Sequence, residues 1–329
     1  MKNKFEGLSM NILITSASRK VGLVKTFKKA LEENGGGKVF AGDINPQSPS
    51  LYFADDYLLL PRSDKDSFIG DLIDICQKYE INLLIPTRDE ELSLFSKNID
   101  EFSNIGTKIM VSSTESINIC QNKNSFINFC DSHGFDIPKT YNDFEDYSKL
   151  EYPIFIKPKI GKSGLDTFKV DSFEELNFIL KLHDDVIIQE FIDWPEYTID
   201  LFADFDGNVI SAVPRERINV LGGESFITKT FKNEIIINES VRLADSLNLI
   251  GHNTIQCFFN GEDVKFIEIN PRFGGAAILS FAAGANSPEN LIKLLNGENL
   301  KPILYDFKDN YFALRFVDEI FIEEQDLKK

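Results

Sequence analysis

The chain has 329 residues, 43% hydrophobic and 26% charged, a composition typical of a globular protein with two or three domains. Its 52 acidic residues outnumber 35 basic ones, and the formal net charge of −17 disfavours general binding to nucleic acid or to an anionic membrane. The cysteines form no CxxC pair or ligand-spaced cluster, which disfavours a zinc site or disulfide framework and favours the cytoplasm. No apolar run reaches the roughly 18 residues of a membrane span. We expect the first nine residues to be a disordered leader before a start at Met10.

The first third of the chain alternates short apolar strands with amphipathic helices. Strands are predicted over residues 11–15, 38–42, 57–60, 82–86 and 108–111, with helices over 21–31, over 68–79 and from 90 onward. This alternation predicts a parallel sheet covered by helices, a Rossmann-like domain over residues 1–113, with any ligand outside the carboxyl ends of the strands. The turn after the first strand, TSASRKVG, lacks the GxGxxG pattern of dinucleotide sites.

The pattern changes after residue 113. A single helix is predicted over 115–133, followed by strands over 154–157, 167–170 and 186–191 and a helix over 172–182. We expect residues 114–191 to form a linker helix and a small lid domain. Residues 192–329 are richer in paired strands, with turns at Asp206-Gly207 and around Asn260-Gly261, and are predicted to form a third domain.

One apolar segment, FIEINPRFGG at residues 266–275, carries polar groups at every second position. A hairpin centred near residue 262 places Gln256 across from Glu268, with Asn270 on the same face and Ile267 and Ile269 directed into the core. Oxygen ligands from a few side chains are what Mg²⁺ prefers, with water and phosphates completing its octahedron. The alternative interpretation is an edge hairpin that simply presents polar groups to solvent.

Basic residues accompany this segment. Arg272 lies just past the strand end, where a planar guanidinium suits phosphate oxygens. Lys157 ends a very apolar strand, so its ammonium needs an anionic partner. The loop that follows contains Lys159, Gly161, Ser163 and Gly164. Its backbone N–H groups could surround phosphates, although glycine-rich turns with lysines are also ordinary surface features.

Taken in order, the helix Lys, the strand Lys, the Gly-rich loop, QEFI, EYTxD, Gln256 and ExNPR resemble the ATP-grasp superfamily, specifically its carbamoyl-phosphate synthase large-subunit-like and carboxylate-amine ligase group. The resemblance covers nearly the whole chain. It implies a fold of the α/β and α+β classes. In that fold, an N-terminal Rossmann-like (pre-ATP-grasp) domain precedes a two-part ATP-grasp module, with the lid over 114–191 and the C-terminal domain over 192–329.

The resemblance also implies roles for individual residues around ATP and Mg²⁺, with Mn²⁺ as a possible substitute. Lys123, Lys157 and the loop from Lys159 would contact the phosphates, and Lys157 and Arg272 would act on the transferring phosphoryl group. The adenine would be read by Gln189, Glu190, Phe191 and Ile192, and the ribose by Glu196. The metal would be held by Gln256, Glu268 and Asn270.

Substrate residues are less clearly marked. Arg215 and Arg217, at period two, suit a clamp for a substrate carboxylate, or alternatively a surface ion-pair ladder. Arg315 is a further candidate, and Ser18 and Arg19 after the first strand are expected to face the acceptor.

Three functions stay open at this point. The first is an ATP-dependent ligase that joins a small-molecule carboxylate to an amine, in a chain that could form a homodimer. The second is carbamoyl-phosphate-synthase-like activation of bicarbonate or carbamate. The third is an ATP-binding regulatory or scaffold protein without turnover.

Overall fold

A computed structural model of the chain describes residues 9–141, 146–159 and 166–329. Within these ranges the strands form three sheets, here named the N-terminal, lid and C-terminal sheets in chain order. Residues 1–8, to which most of the expected leader belongs, lie outside the described ranges. Among the described helices, none combines the length and apolar character that crossing a bilayer requires.

The N-terminal sheet is parallel throughout, with strand order β3-β2-β1-β4-β5. Its strands are β1 (Met10–Thr15), β2 (Gly37–Asp43), β3 (Asp56–Leu59), β4 (Ile81–Pro86) and β5 (Lys108–Ile109). The helices around it are α1 (Val21–Glu33), α2 (Phe68–Lys78), α3 (Asp89–Lys97) and α4 (Ile99–Asn104). The predicted Rossmann-like architecture is confirmed.

The apolar residues of β1 explain why this strand lies at the centre of the sheet. Ile12, Leu13 and Ile14 are fully buried, as expected for a parallel strand covered by helices on both faces. The chain order reverses between β1 and β4, so a crevice opens beyond their carboxyl ends. The residues that follow β1 and β4 are therefore positioned to face a ligand.

The prediction of a single helix over 115–133, between the N-terminal and lid sheets, is wrong. The structure has two helices, α5 (Thr114–Gln121) and α6 (Lys123–His133), separated by Asn122 in an extended conformation. The Asn122 side chain accepts a hydrogen bond from the Ser125 backbone N–H and so caps α6. A capping residue inside an apolar periodic pattern divides it into two helices and leaves Lys123 at the start of α6.

The lid sheet has order β7-β6-β8 and is antiparallel. Its elements are β6 (Ile154–Pro158), β7 (Phe168–Val170), α7 (Phe173–Leu180) and β8 (Val186–Glu190). The lid has a separate hydrophobic core, in which Ile154, Ile156 and Val170 of the sheet pack against Leu176 of α7. Such a separate core is consistent with the predicted lid domain, whose boundaries stay predictions.

The C-terminal sheet has order β13-β12-β9-β10-β11-β14 and is antiparallel. Its strands are β9 (Glu196–Ala203), β10 (Val209–Leu221), β11 (Glu224–Thr230), β12 (Gly251–Phe259), β13 (Val264–Asn270) and β14 (Phe312–Leu314). The accompanying helices are α8 (Glu234–Ser246), α9 (Ile278–Ala282) and α10 (Ser287–Leu295). The mixed α/β and α+β fold class predicted from the sequence is thereby confirmed.

Candidate active site

A cleft of about 2010 Å³ is lined by residues of the lid sheet, of the C-terminal sheet and of the N-terminal domain. The lid contributes Lys157 from β6, the C-terminal sheet contributes Glu268 from β13, and the N-terminal domain contributes the loop after β1. The cleft therefore meets the crevice at the carboxyl ends of the parallel strands, where the sequence predicted a ligand.

The hairpin β12–β13 brings the predicted metal residues together. Gln256 pairs with Glu268, and Asn270 follows on the same strand opposite Thr254. Near the turn, however, the register is one residue different: Cys257 pairs with Phe266, and Ile267 is the extra residue of a β-bulge. The predicted pairing of Gln256 with Glu268 is confirmed, because this bulge makes up for a turn that lies earlier than expected.

The same bulge corrects the orientation predicted for Ile267. Phe266 and Ile269 are buried in the core at 1% and 2% exposure, whereas Ile267 and Glu268 both line the cleft. An extra residue breaks the strict alternation of a strand, so two consecutive side chains reach the same region. Ile267 therefore adds an apolar surface to the cleft beside Glu268.

The three oxygen-bearing side chains are in mutual contact. The Asn270 amide nitrogen lies 3.0 Å from Glu268 Oε1 and 3.5 Å from Gln256 Oε1. Two oxygen acceptors thus converge on one donor, at the position that a cation would otherwise take. Rotation of the Asn270 amide would direct its own oxygen to the same point, since this terminal torsion is soft.

The oxygen atoms of these three side chains suit Mg²⁺ better than a metal that is bound entirely by protein side chains. Within the described part of the chain, no group of three or more His, Cys, Asp or Glu side chains could hold a metal ion. Gln256, Glu268 and Asn270 supply a single carboxylate and two amides. Mg²⁺ commonly binds through one or two carboxylates and completes its shell with water and substrate phosphates.

Two lysines face this patch from outside the C-terminal sheet. Lys157 is only 8% exposed, and burial lowers its pKa to about 8, although the charge of Glu268 acts in the opposite direction. Burial also lowers the pKa of Lys123, again opposed by Glu268, and Lys123 Nζ donates to the Pro158 carbonyl at 2.7 Å. Both cations therefore lie within the field of the proposed metal carboxylate and can compensate further negative charge.

The lowered pKa of Lys157 predicts a pH dependence of nucleotide binding. Phosphate binds the protonated amine, so affinity for a non-hydrolysable ATP analogue should fall by about tenfold between pH 7 and pH 9. In Lys157→Met the affinity should be weaker, with a flatter pH profile measured by calorimetry. Lys20 also has a pKa lowered by burial to about 8, so an unchanged profile in Lys157→Met would assign the effect to Lys20 instead.

The same shift has the opposite consequence for folding. Between pH 8 and the ordinary Lys value of 10.5, the unfolded ammonium keeps its proton while the folded Lys157 has lost it. The unfolded state then binds more protons, so this group makes the folded protein more stable as pH rises through that range.

Arg272 has a partner that the sequence interpretation missed. Its Nε and Nη2 donate to the two Asp89 carboxylate oxygens at 2.7 and 2.8 Å, and Nη2 also donates to Asn270 Oδ1 at 3.1 Å. Asp89 is the first residue of α3, just past β4 at the carboxyl end of the N-terminal sheet. The position of Asp89 after β4 could have identified it from the sequence, because polar residues that follow such strands face the ligand crevice.

The chain after Arg272 is held closely against β12. Thr254 Oγ1 donates to the Arg272 carbonyl at 3.1 Å, and a Cβ placed on Gly274 would lie 2.8 Å from that same hydroxyl oxygen. A side chain at position 274 would displace Thr254 and release the Arg272 backbone. The close approach of this backbone to β12 therefore requires glycine at position 274.

We therefore expect Gly274→Ala to weaken binding of a Mg²⁺-bound ATP analogue by about tenfold or more, since small displacements of phosphate-positioning groups are costly. Calorimetric titration checks the affinity, and urea denaturation separates it from a change in stability. Gly70→Ala is the matched control, because a Cβ there meets nothing within 4 Å. Equal affinities in both variants would contradict the positioning role of Gly274.

The segment predicted to bind adenine connects β8 to β9 and lines the cleft through Gln189, Glu190, Phe191 and Ile192. The Gln189 amide donates to the Pro138 carbonyl at 3.2 Å and to Thr140 Oγ1 at 3.1 Å. The Glu190 carboxylate is paired with Lys265 and accepts from the Lys139 backbone N–H at 2.9 Å. These contacts fix the two polar side chains, and the Glu190 backbone N–H also donates to the Lys139 carbonyl at 2.9 Å. Phe191 and Ile192, just past β8, are therefore the part of the segment best placed to contact a ligand.

Glu196, predicted at the ribose, lies next to Gln256, one of the three predicted metal residues. Its Oε1 accepts from Gln256 Nε2 at 2.7 Å and lies 2.9 Å from Arg217 Nε. The Arg217 contact is an ion pair without hydrogen-bond geometry, since Arg217 Nε has no hydrogen-bond partner. Burial raises the pKa of Glu196, and the Arg217 charge opposes that rise.

The predicted phosphate loop is only partly described. Gly161, Ser163 and Gly164 lie outside the described residues. Lys159 Nζ is paired with Asp185 Oδ1 at 2.8 Å, and Lys159 does not belong to the described lining of the cleft. The structure therefore does not bring Lys159 to the phosphate region.

Arg215 and Arg217, the predicted clamp, are each paired with an acidic side chain of the protein. Arg215 is 2% exposed, and its Nε and Nη2 bind Asp200 at 2.6 and 3.1 Å, while Arg217 contacts Glu196 instead. Burial requires that a guanidinium be paired, and Asp200 on the neighbouring strand β9 supplies that pair. Arg215 and Arg217 both line the cleft, and the burial of Arg215 excludes the surface ion-pair ladder for that residue. Arg315 lines the cleft and is paired with Glu224.

Two family models match the chain. Residues 12–110 match the model described as "PylC-like, N-terminal domain", and residues 183–310 match the model described as "ATP-grasp in the biosynthetic pathway with Ter operon". Together these segments cover more than half of the chain.

Individual proteins show the same relationship. The large chain of carbamoyl phosphate synthase from Clostridium acetobutylicum is 26% identical over 235 residues, which are 64% of this chain but 22% of that protein. The chain thus spans about a fifth of the length of this curated relative.

Solved structures are similar in fold. A biotin carboxylase of Campylobacter jejuni in a β-γ-ATP complex has a TM-score of 0.70 at 18% identity, over 92% of this chain and 74% of that one. An L-amino acid ligase of Bacillus licheniformis has a TM-score of 0.67 at 18% identity, over 87% and 74%. With the fold in agreement, the chain contains a PylC-like N-terminal domain and an ATP-grasp domain, and it is similar to the carbamoyl phosphate synthase large chain and to the biotin carboxylase fold.

Proposed function

We propose that this protein is an ATP- and Mg²⁺-dependent ligase that phosphorylates a small-molecule carboxylate and joins the resulting acyl phosphate to an amine. One observation carries the proposal. Gln256, Glu268 and Asn270 are in contact on one hairpin, while the buried Lys157 and the half-buried Lys123 face Glu268 from other elements. Such an arrangement suits a divalent cation on one side and phosphate oxygens on the other.

Each side chain has a distinct task in this proposal. Bound Mg·ATP supplies the phosphoryl group and the divalent charge. Lys123 and Lys157 bind phosphate oxygens, Glu268 and the two amides orient the cation, and Arg272 turns from Asp89 toward the transferring group. Positioning and charge compensation are sufficient for this step, so no protein nucleophile is needed.

The substrate step follows from ordinary acyl chemistry. A carboxylate oxygen takes the γ-phosphoryl group as its bond to ADP breaks. The free amine nitrogen then attacks the activated carbonyl carbon, phosphate leaves with the electron pair of the broken C–O bond, and the proton lost by the nitrogen passes to the released phosphate. The L-amino acid ligase among the similar structures supports this carboxylate-amine version. The carbamoyl phosphate synthase large chain supports the second candidate, activation of bicarbonate or carbamate.

A phosphate-release screen with Mg·ATP tests the proposal. Pools of carboxylic acids and amines are offered alone and in combination, with bicarbonate as a separate arm. Release that requires both a carboxylate and an amine supports the ligase, and release that requires bicarbonate supports the second candidate. Tight ATP binding without release in any arm would support an ATP-binding regulatory or scaffold protein instead.

A further inference from the structure

Three charged side chains that have no proposed role with the nucleotide meet in the same cleft. Glu224 Oε2 lies 2.9 Å from Arg315 Nη2, and Glu224 Oε1 lies 3.7 Å from Arg19 Nη2. Arg19 belongs to the loop after β1, Glu224 begins β11, and Arg315 follows β14. This set, here named the charged triad, joins the N-terminal domain to the C-terminal sheet.

The charged triad lies close to the reacting end of the candidate site. A Cβ placed on Gly275 would be 3.8 Å from Glu224 Oε2 and 3.9 Å from Arg315 Nη1. Gly275 follows Arg272 by three residues, a chain length that spans about 11 Å at most. A small molecule bound to the triad would therefore reach the region where Arg272 meets a phosphoryl group.

The charges of the triad select a particular kind of ligand. Two guanidinium groups and one carboxylate give a net charge of about +1, and the Arg19 side chain is 83% exposed and free to exchange partners. A simple amine would be repelled by the arginines, and a simple carboxylate would compete with Glu224. A zwitterion satisfies both, because its carboxylate binds the guanidinium groups while its ammonium binds Glu224.

Apolar side chains line the cleft beside the triad. They come from the end of β10, from β14 and from the C-terminal segment after it, and they are Val220, Leu314, Phe316, Ile320 and Ile322. Their exposure runs from 36% for Ile322 to 82% for Phe316, unusual for large apolar groups. The C-terminal segment reaches the N-terminal domain, where the Lys328 backbone N–H donates to the Tyr52 hydroxyl at 3.2 Å. This apolar wall would gain stability from a covering apolar ligand.

We propose that the charged triad and the apolar wall bind the amine-bearing substrate, and that this substrate is an α-amino acid with an apolar side chain. The inference rests on the proposed ligase function, since the amine must reach a carboxylate activated beside Arg272. Arg19 and Arg315 hold the amino-acid carboxylate, Glu224 holds the ammonium and takes one proton from it before the free amine attacks, and the apolar wall contacts the side chain.

Calorimetric binding to the full chain, with Mg²⁺ and a non-hydrolysable ATP analogue present, tests this assignment. The probes are L-leucine, leucinol without the carboxylate, 4-methylpentanoate without the amine, and L-aspartate with a charged side chain. Leucine is expected to bind about tenfold or more tightly than each of the others, the size expected for one charge-assisted contact or one buried apolar side chain.

Variants then assign each contact. Arg19→Ala should weaken leucine binding about tenfold without weakening leucinol binding, because leucinol has no carboxylate for Arg19 to hold. Glu224→Gln should weaken leucine binding without weakening that of 4-methylpentanoate, which has no ammonium for Glu224 to hold. Arg62→Ala is the matched control, since Arg62 is another exposed arginine of the N-terminal domain and is paired with Asp64 at 2.9 Å. It should change the affinity of none of the probes.

The outcomes separate this inference from the proposed function. If the ATP analogue binds with Mg²⁺ but leucine binds no more tightly than leucinol and 4-methylpentanoate, the amino-acid assignment is overturned and the ligase proposal stands. If the analogue itself does not bind, both are overturned. Leucine selectivity that Arg19→Ala and Arg62→Ala reduce equally would also remove the charged triad from the assignment.

Discussion

A Glu268→Gln variant is expected to lose ATP-dependent turnover on the order of 10²-fold or more while retaining its fold, a loss comparable to removal of a charge-stabilising group in other enzymes. Glu268 is the single carboxylate among the proposed metal residues Gln256, Glu268 and Asn270, and it is the anion that Lys123 and Lys157 face. The amide of glutamine keeps the shape but not the charge. Lys123 and Lys157 would then lose their counter-ion in the free protein, and Mg²⁺ would lose its only carboxylate ligand in the nucleotide complex.

Phosphate release with the substrates found by screening measures the turnover, and Mg²⁺ titration of ATP-analogue binding gives an independent readout. Glu262→Gln is the matched control, because Glu262 lies exposed in the turn of the same hairpin. Full turnover in Glu268→Gln, or an equal loss in Glu262→Gln, would remove Glu268 from the proposed metal site.

The N-terminal domain and the polar hairpin are the parts that the sequence predicted well. Alternating apolar strands and helices are strong local signals, and the run Ile12 to Ile14 is typical of a strand buried on both faces. Gln256 and Glu268 were paired from the turn position alone. The bulge at Ile267 could not be predicted, because a bulge depends on how neighbouring strands twist and not on residue spacing.

Partners on distant segments account for the remaining differences. Asp89 and Arg272 are separated by 183 residues, and Arg215 meets Asp200 only because β9 and β10 are adjacent. Period-two spacing correctly places Arg215 and Arg217 along one strand, but it carries no information about which acid lies across from each. Sequence reasoning therefore found the charged residues of the cleft more readily than their partners.

Asp200→Asn is expected to lower the free energy of unfolding by about 3–5 kcal/mol, the cost of leaving one member of a buried ion pair without its partner. Asp200 and Arg215 are each about 2% exposed, and the Ser280 hydroxyl also donates to Asp200 at 2.5 Å. Burial alone would raise the pKa of the Asp200 carboxyl. The charge of Arg215 and the hydrogen bonds to Asp200 have the larger effect, so the net pKa is lowered and the carboxyl stays ionised. Urea denaturation at pH 7 measures the loss.

The pair also predicts how its contribution varies with pH and with a second substitution. A carboxyl whose folded pKa is depressed stabilises the protein above its unfolded pKa of about 3.9, and this stabilisation is lost as pH falls further. The difference between wild type and Asp200→Asn should therefore shrink in acid. Adding Arg215→Met to Asp200→Asn should cost less than Arg215→Met alone, because the buried cation has already lost its partner. Strictly additive losses would mean that Arg215 is held by other contacts and not by its ion pair with Asp200.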